Sequence, residues 1–342
     1  MTELFSPEIL SEIFKFLYVS DHQKSNLFNC VIVNRFWCRT AIPVLWSDPF
    51  RFFDYEIPDG LITIYIACLT KRERRSLKRK GIEVPMKVKS PSFDYITFLK
   101  NLNYYGLISS LFHFGCNGIY KKNDSFDIML PALLEILANR DLILQSLELE
   151  NHDRRGDWDN EYMHLVNPNV RSLVEPVKKL YLDCKVLNAK FLPLLNGECQ
   201  SVRHLHINLH FQNSKKENII CERDVTYYAD LIERQESLEV LMITNFVRCF
   251  KKIFPSFKKQ AKSLRVIEFI NSDFKECESL EEIANCENLQ CLIFRKCDNL
   301  TDEIFRPLFN ANLPKLQQVS LEHSKRDKEI EIWLQSFMQE RN

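Results

Sequence analysis

The sequence predicts an α/β protein: three short helices first, then a helical linker, then a repetitive array laid on a parallel β-sheet. Three observations predict it. Between residues 6 and 43, apolar residues recur at helical spacing between capping and stopping signals. From about residue 142 a motif recurs in which apolar positions fall at offsets of three and then two residues. Its seven starts (Leu144, Val177, Val202, Leu238, Leu264, Leu289 and Leu316) lie 33, 25, 36, 26, 25 and 27 residues apart. That interval holds one short strand and a helical or irregular return, and seven copies exceed the ~three that a stable array needs.

Composition bounds the function. The 342 residues are 45% hydrophobic and 27% charged, enough apolar content to fold without long disorder. The 46 basic and 46 acidic residues balance, so no overall field attracts nucleic acid. Glycine occurs only seven times and no G-x-G-x-x-G or G-x-x-x-x-G-K-[ST] motif is present, which disfavours a nucleotide-dependent enzyme. Twelve cysteines are scattered without a CxxC pair. The opening residues do not read as a signal peptide and the sequence shows no stretch of ~18 apolar residues that could span a bilayer, so the cysteines are expected as reduced thiols in cytosol or nucleus.

The first helix is expected from Ser6 and Pro7. Ser6 suits the cap, Pro7 the first helical position, and Glu8 the positive end of the dipole. Ile9, Leu10, Ile13, Phe14 and Leu17 then form one wide apolar stripe. Ser20-Asp21 is expected to cap a second helix carrying Leu27, Phe28, Cys30 and Val31. Asn34 is expected to cap a third with Phe36, Trp37 and Ala41, which Pro43 ends. A module this small is marginal alone, and surplus apolar surface on it points to a partner.

The run Leu4-Phe5-Ser6-Pro7-Glu8-Ile9-Leu10, followed by Ile13, Leu17, Leu27, Cys30, Val33, Asn34-Arg35-Phe36-Trp37 and Leu45-Trp46, resembles the F-box pattern over residues 2–47. Phe5-Ser6 places one residue more between Leu4 and Pro7 than the shortest form of that pattern. The resemblance implies docking onto a Skp-type adaptor and, through it, cullin and RING subunits of a ubiquitin ligase. It implies module-core or adaptor-contact roles for Leu4, Pro7, Ile9, Leu10, Ile13, Leu17, Leu27, Cys30, Val33 and Trp37.

Residues 48–141 read as a helical linker or capping region. The apolar stretch Leu61–Leu69 is expected as a buried helix, with the basic run Lys71–Lys80 as its solvated end, although a nucleic-acid contact is the alternative. Tyr95–Leu102 and Asp127–Ala138 are expected as helices, Pro131 lying near the start of the latter. Leu61, Tyr65, Cys68-Leu69, Phe93-Asp94-Tyr95 and Phe98-Leu99 also resemble the linker of F-box/leucine-rich proteins.

Residues 142–342 carry the leucine-rich-repeat signature, expected as a curved horseshoe with its parallel sheet on the concave face. Asn151, Cys184, Asn245, Asn271 and Cys297 are expected to bond loop backbone, and loop insertions are expected near residues 152–170 and 211–224. The segment 292–302 resembles a cysteine-containing repeat class often joined to F-boxes. A terminal helix is expected around Trp333–Phe337. Strand alternation turns Val240, Met242, Val266, Ile270, Cys291 and Ile293 outward as one apolar patch, rimmed by His204, His206, Glu268 and Arg295. This patch is the expected target site. His204 and His206 lack a third metal ligand nearby, the spacings of Cys286, Cys291 and Cys297 do not suit zinc, and no nucleophile–base pair stands out. No metal, cofactor or catalytic residue is therefore expected. The leading functional expectation is a target receptor of an SCF-type ubiquitin ligase. The alternatives are a non-degradative scaffold or a repeat protein using Lys71–Lys80, Lys121-Lys122 and Lys251-Lys252 on nucleic acid.

Overall fold

The computed structural model describes residues 5–18, 24–51, 60–82, 84, 89–114, 124–150, 159–183, 190–209, 222–247 and 249–339. The chain divides into two compact units: Met1–Glu148 with Asn167–Leu173, and Leu149–Val166 with Val174–Asn342. The architecture is α/β, and every strand pairs parallel to its partner.

The first unit opens with α1 (Pro7–Tyr18), α2 (Lys24–Val31) and α3 (Arg35–Leu45). The Ser6 hydroxyl accepts the Ile9 amide at 3.4 Å, and the Asn34 side chain accepts the Trp37 amide at 2.9 Å, satisfying donors that a helix start leaves open. The expected Ser20-Asp21 cap lies outside the described residues. Pro43 does not stop α3, which runs through it to Leu45 and closes with the Trp46 amide on the Ile42 carbonyl at 3.0 Å. So near the C-terminal end the proline removes one helical bond without breaking the turn. Leu10, Phe14, Leu27, Cys30, Ala41 and Val44 form the core of these three helices. Phe14 meets Trp37 edge-on at 5.4 Å.

Next come α4 (Leu61–Cys68) and α5 (Lys71–Arg79). The basic run is thus not the end of the apolar helix but a helix of its own. Leu69 is extended, and Thr70 starts α5 with a capping box. The Thr70 hydroxyl accepts the Glu73 amide at 3.2 Å, while the Glu73 carboxylate accepts the Thr70 amide at 2.6 Å. Arg140 ties this corner together, pairing with Glu73 and Asp94 at 2.7 Å each. Trp46 packs on Tyr95 at 4.3 Å and on Tyr65 at 6.1 Å, so the end of the three-helix segment and the linker share one aromatic cluster.

The expected helix over Tyr95–Leu102 is replaced by a 3-10 turn (Tyr95–Phe98) and strand β1 (Asn101–Asn103). Leu99, Leu102 and Tyr104 repeat the three-then-two motif, and all three are buried. Leu102 pairs in register with Leu147 of β2 (Ser146–Leu149). The strand β1 therefore stands at the end of a segment expected as a helix. Between β1 and β2 stand α6 (Tyr104–Phe114) and α7 (Asp124–Ala138). α7 begins earlier than its apolar pattern suggests, so Pro131 sits mid-helix rather than near the start. Gly106 on α6 is a close-approach site: a Cβ there would lie 1.8 Å from the Phe50 carbonyl oxygen.

The second unit carries β3 (Lys179–Asp183), β4 (His204–Asn208), β5 (Val240–Thr244), β6 (Val266–Ile270), β7 (Cys291–Arg295) and β8 (Gln318–Glu322), paired in sequence order. Strands β4 to β8 are entered alike. The carbonyls of Lys178, Arg203, Glu239, Arg265 and Gln290 each accept two successive amides from the next strand's start. The exits repeat too: Asn245, Asn271, Lys296 and His323 adopt left-handed backbone with φ of 59°, 50°, 54° and 52°. Asparagine tolerates that region better than most residues.

The motif positions point inward and are buried, apart from Val319 at the last strand, which is half-buried. Phe269 and Phe294 of the strands and Phe246, Phe250, Phe254, Phe274 and Phe305 of the returns contact one another as a continuous aromatic core. The C-terminal helix Lys328–Gln339 extends it, Trp333 lying 5.8 Å from Phe309. The expected loop near 152–170 is in part helical. Asp159–Met163 and His164–Val166 form short helices, and Tyr162 is buried against Phe191 at 6.1 Å. Residues 210–221, most of the other expected insertion, lie outside the described residues, as do Asn151 and Cys184. Asn245 and Asn271 depart from their expected role: Asn271 donates to the Asn245 side chain, and Asn245 donates to Asn208 Oδ1 at 2.7 Å. They form a side-chain ladder instead of capping loop backbone. Cys297 does bond backbone, its thiol donating to the Phe269 and Arg295 carbonyls at 3.5 Å.

Candidate protein-interaction surfaces

The wide apolar stripe of α1 resolves into two. Leu10 and Phe14 face the core with Leu17 packed beside them. Phe5, Ile9, Ile13 and Phe16, spaced four, four and three residues apart, are exposed. Phe16 is 78% exposed. α2 and the turn after it add Phe28, Ile32 and Val33, with Ile32 at 72% exposure. The ten residues singled out in this region separate accordingly. Leu10, Leu27 and Cys30 are core; Leu17 and Trp37 are half-buried against it; Pro7, Ile9, Ile13 and Val33 are exposed; Leu4 lies outside the described residues. Burial raises the Cys30 thiol pKa, as suits a packing residue. Sequence reasoning missed Phe5, Phe16, Phe28 and Ile32 as surface residues. Their signal was present: α1 carries more apolar positions than one helix face can bury.

The second surface is the outward face of β3–β8. Register arranges it in three rows across the strands. The first runs Lys179, His204, Val240, Val266, Cys291, Gln318. The second runs Tyr181, His206, Met242, Glu268, Ile293, Ser320. The third runs Asp183, Asn208, Thr244, Ile270, Arg295, Glu322. All ten residues named in advance as a target site therefore lie on one face, and the six apolar ones are contiguous across β5–β7. They are half-buried rather than fully exposed, because neighbouring strands cover their flanks.

His206 Nε2 lies 2.8 Å from Thr244 Oγ1, and the ring stands edge-on to Tyr181 at 5.9 Å. Burial lowers the pKa of both His206 and His204, which favours their neutral imidazole forms. Arg295 lies 2.9 Å from Glu268 and 2.9 Å from Glu322, and the guanidinium holds the Glu322 carboxyl below the usual range. Burial pushes the Cys286 thiol up to about 12 and Cys297 to about 11, removing both from thiolate chemistry at neutral pH.

Among the described residues, no group of three or more His, Cys, Asp or Glu side chains is placed to hold a metal ion. Among them too, no helix is long and apolar enough to cross a membrane. The candidate basic patches are partly committed to structure. Arg74 is buried and donates to the Leu69 carbonyl at 2.7 Å, Lys80 pairs with Glu135 at 2.7 Å, and Lys251 pairs with Glu278 at 2.7 Å. Lys121 and Lys122 lie outside the described residues. Comparison with protein-family models and with curated proteins gave no match.

Proposed function

We propose that this chain is the target-recognition subunit of an SCF-type ubiquitin ligase. The N-terminal helices act as an F-box that docks on a Skp-type adaptor. The strand array acts as a leucine-rich-repeat domain that holds a protein target, and the chain contributes no catalytic residue. It works by proximity: holding target and ligase together raises the effective concentration for ubiquitin transfer.

The observation that carries this reading is the second apolar stripe. Phe5, Ile9, Ile13 and Phe16, with Phe28, Ile32 and Val33, leave large apolar side chains uncovered on a three-helix module whose sequence resembles an F-box. Such a patch is an interaction site before it is anything else. A nucleic-acid role draws little support, since Lys80 and Lys251 of the candidate patches are paired within the fold and the net charge is zero.

Calorimetry with a purified Skp-type adaptor tests the docking half. The chain should bind, and the double variant Ile9→Asp, Phe16→Asp should not, while its circular dichroism stays unchanged. Absence of adaptor binding by the well-folded chain ends the proposal. For the target half, Asp at Met242 or Ile293 should abolish target capture and spare adaptor binding. A target whose lifetime ignores these substitutions would favour the scaffold alternative.

A further inference from the structure

We infer that the strand face of the second unit takes a protein segment that places one lysine or arginine between apolar side chains. This rests on the reading that the face captures a target, and it names the chemistry of that target. Its ground is the charge balance inside the apolar patch. By register Glu268 stands between Met242 and Ile293, with Val266 and Ile270 on its own strand. Its side chain is only 9% exposed. Its counter-charge Arg295 is shared, 2.9 Å from Glu268 and 2.9 Å from Glu322. Two carboxylates on one guanidinium leave one negative charge in excess.

Water now stabilises that excess, because the Arg295 and Glu322 side chains are 39% and 49% exposed. A purely apolar partner laid over Val240, Met242, Val266 and Ile293 would strip this water and bury the charge unpaired, which is strongly unfavourable. An acidic partner would fare worse. One cation restores neutrality: a lysine or arginine stem lies along the apolar edge while its head reaches Glu268 or Glu322. Lys179 does not serve, since β3 stands three strand spacings from β6, about 14 Å, beyond the screening length of about 8 Å.

The test is selection of displayed random peptides of about ten residues, enough to span the six strands, on the full chain at pH 8, where ordinary imidazoles are neutral. Parallel panning uses Met242→Asp and Glu268→Gln. Peptides that require Met242 should carry one basic residue flanked by apolar ones. They should bind Glu268→Gln about tenfold more weakly or worse, and panning on that variant should select peptides without the basic residue. If Glu268→Gln fails to fold, Glu322→Gln at the more exposed carboxylate carries the same comparison. Met242-dependent peptides that lack a cation, or that ignore both glutamine variants, overturn this inference and leave the capture reading standing. A folded chain yielding no Met242-dependent peptide overturns the capture reading and this inference together. Sedimentation showing a dimer that Met242→Asp dissolves would make a second copy the occupant, which also overturns it.

Discussion

The N-terminal module and the strand face of the second unit both leave apolar side chains uncovered, but they do so differently. On α1 a second stripe is exposed, and Phe16 is 78% exposed. On the strand face the apolar outward residues of β5–β7 are flanked by strands about 4.8 Å away, so they cover one another and remain half-buried. The module therefore exposes more apolar area per residue, while the face keeps its residues in fixed register around an embedded ion-pair network. A helix surface of that kind suits a partner that completes a hydrophobic core. A strand face of that kind suits a partner selected by charge and shape as well as by area.

The largest expected effect tests whether the two stripes of α1 are separate. Phe14→Ala should destabilise the module by about 3–5 kcal/mol, read by denaturant unfolding of Trp37 fluorescence, because Phe14 packs on that ring. Phe16→Ala should stay within about 0.5 kcal/mol; equal losses would erase the distinction between core and surface stripes. Next, Ile9→Ala with Phe16→Ala should weaken adaptor binding by about 3 kcal/mol, on the order of a hundredfold, with the melting temperature unchanged. A shift in melting temperature without a shift in binding would assign these residues to folding.

The strand face makes smaller and more structural demands. Asn245→Ala should cost about 1–2 kcal/mol in thermal unfolding, since alanine pays for the left-handed backbone and the Asn208–Asn245–Asn271 ladder is cut. Asn245→Gly should cost less, because glycine accepts that backbone. The smallest effect is a pH dependence. Burial holds the pKa of His206 below its ordinary value near 6.5. The unfolded chain then takes up the proton first as pH falls, so stability present above about pH 6.5 is lost below it. His206→Gln should flatten that slope in melts recorded from pH 7.5 downward; an unchanged slope would mean that His204 or another group carries it.

The strand array was largely legible because its signal is local and repeated. Seven of the eight strands among the described residues follow from apolar offsets alone, and by register Met242, Glu268 and Ile293 stand in one row, as alternation implies. β1 was hidden because Leu99 and Leu102 also suit a helix turn, and Tyr104 in the last motif position masks the repeat. The choice was made at long range: Ser47 O accepts the amides of Lys100 and Asn101, and Leu102 pairs with Leu147. Likewise no local rule shows that Thr70 starts a new helix after α4, since the basic run suits either the end of one helix or the body of another.

By itself the sequence determined periodicity: where side chains alternate by two, where they recur by three and four, and which caps open the helices. Those follow from backbone geometry and local hydrogen bonding, which a few neighbouring residues decide. Only the tertiary structure decided which apolar residues the fold keeps for itself. The apolar positions of α1 exceed one face of a helix, and α2 and α3 cover one side of it. That packing places Leu10 and Phe14 in the core and leaves Ile9, Ile13 and Phe16 for a partner. The same holds for Glu268, an ordinary acid in the sequence, which gains its weight from Arg295 one strand away and Glu322 two strands away.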